Sequence, residues 1–203
     1  MMAGLRERKK EQTRRRIAEA ALRLFAERGY DEVTVNEVAE AAGVAKVTLF
    51  AYFATKECLV LDEVKEDMAR IVTERPPGLS PLGALRAHYR AFAREAPGVD
   101  AESLLTRVRV ISGSPALLAG VHQAHIGQRY ELAAALEREP GDLIAHLLAA
   151  QVTAVVTTLQ EQFFHRLACG ASLAEAGRRL ADEVDVAFDL LDHGFAASYG
   201  DKS

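Results

Sequence analysis

TVNEVAEAAGVAKVTLFAYF, residues 34–53, is the stretch on which the fold of this chain turns. Thr34 stands three residues before Glu37, the spacing of a capping box, and Val33 and Val38 are placed to staple the same helix start. That helix runs to Ala42 and breaks at Gly43, and a second short helix follows from about Ala45 to Phe53. Two short helices joined by a tight glycine turn describe a helix-turn-helix. Val38, Ala39, Ala42, Val44, Leu49 and Phe53 fit one small core with Leu24 and Phe25 of the preceding helix. Ala39 and Gly43 are small where the two helices must approach. Lys46, Val47, Thr48, Phe50 and Tyr52 are then left on or near the outer face. A short helix that is polar outward and preceded by a basic arm fits a DNA major groove.

Outward from this stretch, helical signals recur and strand signals do not. A first helix reads from Thr13 to Arg28, with Ile17, Ala21, Leu24 and Phe25 on one face, and stops at Gly29. Thr55 caps a long helix to about Glu74, ahead of Pro76, Pro77 and Gly78. Ser80–Pro81 and Ser114–Pro115 each set a capping serine before a proline at the first helical position. Pro140, Gly141 and Asp142 open an apolar helix to about Cys169, and Ser172 with Glu175 opens a last one to about Ser198. The expectation is an all-α chain of nine helices in two domains. The first, 1–54, is a basic arm with a three-helix helix-turn-helix unit, and the second, 55–203, is a helical ligand-binding and dimerisation domain.

Composition narrows the classes. Hydrophobic residues make up 49% of the 203, enough to bury a core. The net charge of −4 hides an asymmetry. Residues 1–16 hold seven of the 25 Lys/Arg and two of the 29 Asp/Glu, a net of +5, so the remainder carries 18 against 27, a net of −9. One end is suited to a polyanion and the rest repels it. No unbroken apolar run approaches the about 20 residues of a membrane span, and no apolar segment follows the basic N-terminus as in a signal peptide. Cys58 and Cys169 lie far apart, without metal spacing, which reads as a reduced cytoplasmic protein. No phosphate-binding glycine loop, nucleophile elbow or paired catalytic carboxylates stand out, so neither an enzyme, a metal nor a cofactor is expected.

The run RRRIAEAALRLFAERGYDEVTVNEVAEAAGVAKVTLFAYFATKECLV resembles the DNA-binding domain of TetR-family transcriptional regulators. LFAERGY, the TV before the second helix, EVAEAAGV, TLFAYF and the Lys56–Glu57 pair carry the likeness over about residues 10–60. The resemblance implies that Lys46, Val47 and Phe50 touch base edges and thymine methyls, while Thr48, Tyr52 and Lys56 bind phosphate. It places Thr34 against the backbone and Asn36 within reach of a base. Two departures stand out: Ala45 replaces a capping serine, which costs about 1 kcal/mol, and Phe50 replaces a tyrosine.

The rest of the chain resembles the family in helix count and length. The last two helices carry stripes too wide for one contact, and Val152, Val156, Leu180, Val184, Phe188 and Leu191 are expected in a four-helix interface between two copies. His122, His125 and Arg129 form a polar stripe on an apolar helix, which is either a ligand anchor or a core edge. With Met68, Tyr89 and Phe92 as wall residues, it would take an apolar ligand bearing an anionic group. The expected function is a ligand-responsive repressor that binds a palindromic double-stranded DNA operator as a homodimer, with no membrane partner, and is released by a small, mostly apolar effector. An effector-independent DNA-binding dimer or an activator is the alternative.

Overall fold

A computed structural model describes residues 2–62, 67–95, 100–137, 139 and 141–193. Among these, the regular elements are all α-helices. In chain order they are α1 (Met2–Arg28), α2 (Val35–Ala41), α3 (Lys46–Tyr52), α4 (Cys58–Leu61), α5 (Met68–Thr73), α6 (Pro81–Glu95), α7 (Ala101–Ser112), α8 (Pro115–Leu136), α9 (Leu143–Ala168) and α10 (Leu173–His193). The all-α expectation holds, with ten helices for nine. Over 55–74, read as one helix, Asp67 leaves the helical region and caps α5 by accepting from the Arg70 N–H at 2.8 Å. Residues 63–66 lie outside the described ones, as do Pro140 and the expected end of the last helix near Ser198.

The first helix is longer than its sequence reading. Thr13 is not its start: the Thr13 hydroxyl donates to the Lys9 carbonyl at 2.9 Å, in the middle of α1. From Leu5 to Gln12 the chain offers Arg, Glu, Lys and Gln, strong helix formers with no breaker among them, so the helix runs on past its apolar face.

The chain divides into two compact units, residues 1–65 with 102–123, and residues 66–101 with 124–203. In the first, Ile17, Ala21 and Phe25 of α1 pack in one cluster with Val38 and Ala39 of α2 and Leu49 and Phe53 around α3. Leu59 and Val60 of α4, Val110 of α7 and Leu117 of α8 complete it. Each of the larger side chains contributes about 1.5–3 kcal/mol on burial. The helix-turn-helix core is therefore the one read from the sequence. Arg107 ties α7 to α4 by donating to the Val60 carbonyl at 3.2 Å.

In the second unit, α10 lies against both α6 and α9. The Tyr89 and Phe188 rings lie 6.3 Å apart at a tilt of 31°, and Phe92 meets the edge of Phe163 at 6.1 Å. Arg86 donates to Asp185 at 2.9 Å and to Asp189 at 2.8 Å, which joins α6 to α10, and a paired Arg166–Glu183 contact joins α9 to α10. Helix starts follow their caps. Ser80 Oγ accepts from the Gly83 N–H at 3.0 Å, and Asp142 Oδ1 accepts from the Ile144 and Ala145 N–H groups at 3.0 and 3.3 Å.

One expectation is corrected by α9. Although no unbroken apolar run marks it, this helix of 26 residues is long and apolar enough to cross a membrane. Scattered Thr, Gln and His residues interrupt the run without lowering its average far. In the fold, Ala145, Ala149, Val152, Val156, Leu159 and Phe163 form its buried side.

Candidate nucleic-acid interface

The entry to α2 is fixed by a closed set of hydrogen bonds. Thr34 Oγ1 accepts from the Glu37 N–H at 3.3 Å, and Glu37 Oε2 accepts from the Thr34 N–H at 2.8 Å. Arg28 reaches the same carboxylate, donating to Oε1 at 2.6 Å. The Thr34 hydrogen bonds, with Arg28 behind them, hold the Glu37 carboxyl down at about 2. Asn36, one residue into the helix, is exposed.

The turn that follows owes its shape to glycine. Gly43 has φ +62°, its N–H reaches the Glu40 carbonyl and the Val44 N–H reaches the Ala39 carbonyl, each at 2.9 Å. The left-handed conformation is open to glycine at little cost. Ala45 then starts α3 with no side-chain cap, as its identity requires.

Leu49 and Phe53 are wholly buried, which fixes the rotation of α3. Opposite them, Lys46 is exposed, Val47 is 80% exposed and Phe50 42% exposed. Thr48 and Tyr52 are half-buried at the flanks. Seven residues span about 10 Å, which suits a major groove about 12 Å wide. Solvent-facing Val and Phe beside Lys and Thr can meet thymine methyls, base edges and phosphate oxygens. Phe50 does not pack inward, so its exposure is open to a ligand.

Lys56, expected at a phosphate, makes a contact within the chain that its spacing does not reveal. Its Nζ donates to the Tyr30 carbonyl at 2.6 Å and lies 4.1 Å from the Tyr30 ring centroid and 5.6 Å from that of Phe25. Burial, with the Glu57 carboxylate beside it, pushes the Tyr30 hydroxyl well above the usual tyrosine value. The Lys56–Glu57 pair thus clasps the turn after α1 to the start of α4.

A further feature had not been picked out from the sequence. Glu7, Arg8, Lys10, Glu11 and Arg14 of α1 line an open groove of about 720 Å3 with Tyr52 at the end of α3. Arg14 is anchored there, its guanidinium 4.8 Å from the Phe53 ring centroid and 3.4 Å from Asp62 Oδ2. The signal was present in the sequence, since Lys10 and Arg14 continue the spacing of Ile17, Ala21 and Phe25.

Residues 17–62 match the family model for the bacterial regulatory proteins of the tetR family, and residues 79–196 match the MftR C-terminal domain model. The chain belongs to the TetR family. Among its relatives, TcmR of Streptomyces glaucescens, an HTH-type transcriptional regulator, is 36% identical over 124 residues, 57% of this chain and 55% of that one. MftR of Mycobacterium tuberculosis, a putative mycofactocin biosynthesis transcriptional regulator, is 26% identical over 197 residues, 92% of this chain and 93% of that one. The alignment with TcmR therefore spans about half of that relative's length. The crystal structure of NalD from Pseudomonas aeruginosa shares the fold, with a TM-score of 0.56 at 18% identity over 87% of this chain and 96% of that one.

In this TetR-family chain the expected pocket residues do not share one setting. Met68 and Tyr89 are core side chains, and Phe92 is 38% exposed. His125 and Arg129 are half-buried, with the Arg129 guanidinium 5.0 Å from the Tyr130 ring centroid. His122 is exposed and belongs to the first compact unit, whereas the other five belong to the second.

The expected dimer residues need correction. Val152, Val156, Leu180, Val184 and Phe188 are at most 4% exposed within a single chain, and Leu191 is half-buried. These are the faces that α9 and α10 turn toward their own subunit. The apolar side chains left in solvent on the same helices are Leu143, Ile144 and Leu147, 51–71% exposed, and Val186 at 63%.

Proposed function

We propose that this regulator is a homodimeric repressor that binds a palindromic operator through α3 and is released by a small, mostly apolar effector. Residues 1–54 are the DNA-reading domain in this proposal and 55–203 the effector and dimerisation domain. The observation that carries it is the outward face of α3, where Lys46, Val47 and Phe50 stand exposed on a helix locked by Leu49 and Phe53. Two copies related by a two-fold axis would set two such helices about one DNA turn (~34–36 Å) or a little more apart, hence a palindrome. Leu143, Ile144 and Leu147, at helical spacing on α9, are the side chains we assign to the contact between copies, together with Val186 of α10.

The mechanism follows from two-state linkage. An effector that binds more tightly to a conformation with the wrong spacing of reading helices shifts the population away from DNA, by no more than its differential affinity. The protein would work in the cytoplasm, where its operator lies.

The test is a fluorescence titration of the full-length protein against the DNA flanking its own gene, at two salt concentrations. Specific binding that Lys46→Ala and Thr48→Ala abolish, by a species that sediments as a dimer and falls to a monomer with Leu147→Glu, is the expected result. Binding equal to that of random DNA and unmoved by either substitution overturns the reading.

A further inference from the structure

We infer that Arg14 is a positioning residue of the reading helix: through the Phe53 ring and the Asp62 carboxylate it fixes the direction in which α3 presents Lys46, Val47 and Phe50. The inference rests on the DNA-binding reading above. It adds a determinant of sequence preference that itself touches no base.

The first observation is how short the footing of α3 is. Its wholly buried side chains, Leu49 and Phe53, are four residues apart, about 6 Å along a helix axis. Lys46 and Val47 lie beyond that footing, toward the end where Ala45 supplies no side-chain cap. A small rotation about Phe53 is therefore carried outward to the side chains assigned to base readout. Phe53 is also where the helix stops, its backbone extended at φ −133° and ψ 114°. What holds the Phe53 ring holds the aim of α3.

The second observation is what stands on that ring. The Arg14 guanidinium lies 4.8 Å from the Phe53 ring centroid, and its Nη2 donates to Asp62 Oδ2 at 3.4 Å. The two side chains of this ion pair are 32% and 20% exposed, and a partly buried pair is screened less than one in open solvent. One group thus joins α1, the end of α3 and, at Asp62, the end of α4. A planar guanidinium can lie over a ring and pair with a carboxylate at once, where an ammonium offers only a point charge. Ile17 and Ala21 of α1 and Leu59 and Val60 of α4 are buried in the same core. Arg14 therefore refers the aim of α3 to two helices that are themselves fixed.

The Arg14 charge is answered within the chain, so a bracing role and a phosphate contact separate by their response to salt. The probes are a duplex selected from a randomised pool by the full-length protein and a scrambled duplex of equal composition. The decisive variant is Arg14→Gln with Asp62→Asn, which removes the brace and leaves the net charge unchanged. It should lower the preference for the selected duplex by about tenfold, the worth of one well-placed base contact. Affinity for the scrambled duplex and the slope of log K against log salt should stay at the parent values. Arg14→Lys keeps the charge and loses the plane, so its preference should fall between the two. It supplies the same reading at smaller amplitude if circular dichroism shows the double variant unfolded.

A folded double variant with the parent's preference overturns the inference, whatever urea unfolding shows, because Arg14 would then serve the fold alone. An equal loss on both duplexes, with a slope shallower by about 0.9, also overturns it, since that marks a phosphate contact. In either case continued sensitivity to Lys46→Ala leaves the α3 reading standing. If the parent protein shows no preference for the selected duplex, the reading and this inference fall together.

Discussion

The pair α2–α3 and the pair α9–α10 are both helix couples with apolar stripes, yet their residues answer to different demands. In α3, seven residues carry one buried side and one exposed side, and the exposed side is the one proposed to meet DNA. In α9, 26 residues carry a buried stripe through Val152, Val156 and Phe163, and a second apolar set at Leu143, Ile144 and Leu147 left in solvent. A short one-sided helix has a single way to satisfy its hydrophobic residues. A long two-sided one has two, and the difference between subunit core and subunit contact is then a question of tertiary neighbours.

The sharpest way to break this comparison is truncation on the buried side of α10. Phe188→Ala should lower unfolding stability by about 3–5 kcal/mol, read from urea unfolding. The matching change on the functional side, Val47→Ala, should alter stability by less than about 0.5 kcal/mol while weakening operator binding. Equal stability losses at the two positions would dissolve the distinction between the faces.

A smaller effect is expected at the clasp. Lys56→Met keeps the alkyl stem but removes the donor to the Tyr30 carbonyl and the charge over its ring. The loss should be about 1–2 kcal/mol, with the salt dependence of DNA binding unchanged. A slope shallower by about 0.9 would return Lys56 to the set of phosphate contacts.

The smallest effect belongs to the cap of α2. The Glu37 carboxyl titrates near 2 in the folded chain, below the usual 4.5, because Thr34 and Arg28 favour its charged form. A depressed carboxyl stabilises the fold fully above 4.5 and loses that contribution as pH falls toward 2. Comparison with Glu37→Gln should show a stability advantage at neutral pH that fades through this window. An advantage unchanged down to pH 2 would place it in shape instead of charge.

The reading from sequence succeeded where local rules and burial agree. Thr34 with Glu37, the break at Gly43 and the inward Leu49 and Phe53 follow from spacing alone, and the ladder of capping serines marks later helix starts. It stopped at Thr13 because a hydroxyl that resembles a cap instead bonds back to Lys9, and helix formers carry α1 onward. The Lys56 clasp was not legible because its partner is a backbone carbonyl 26 residues away, which no periodicity reveals. Val184 and Phe188 were assigned to a neighbouring copy because apolarity says that a face is covered, not by which chain.

Gly43 returns in a different light once its surroundings are considered. A Cβ built there would meet nothing within 4 Å, so the turn has room for a side chain and excludes one only through its positive φ. The constraint on how α3 is aimed is thus one of chirality and not of volume. D-alanine, the mirror form, would sit at this angle without strain and narrow the unfolded ensemble, whereas L-alanine would cost about 1–2 kcal/mol. The hand of a single residue sets the direction of the reading helix.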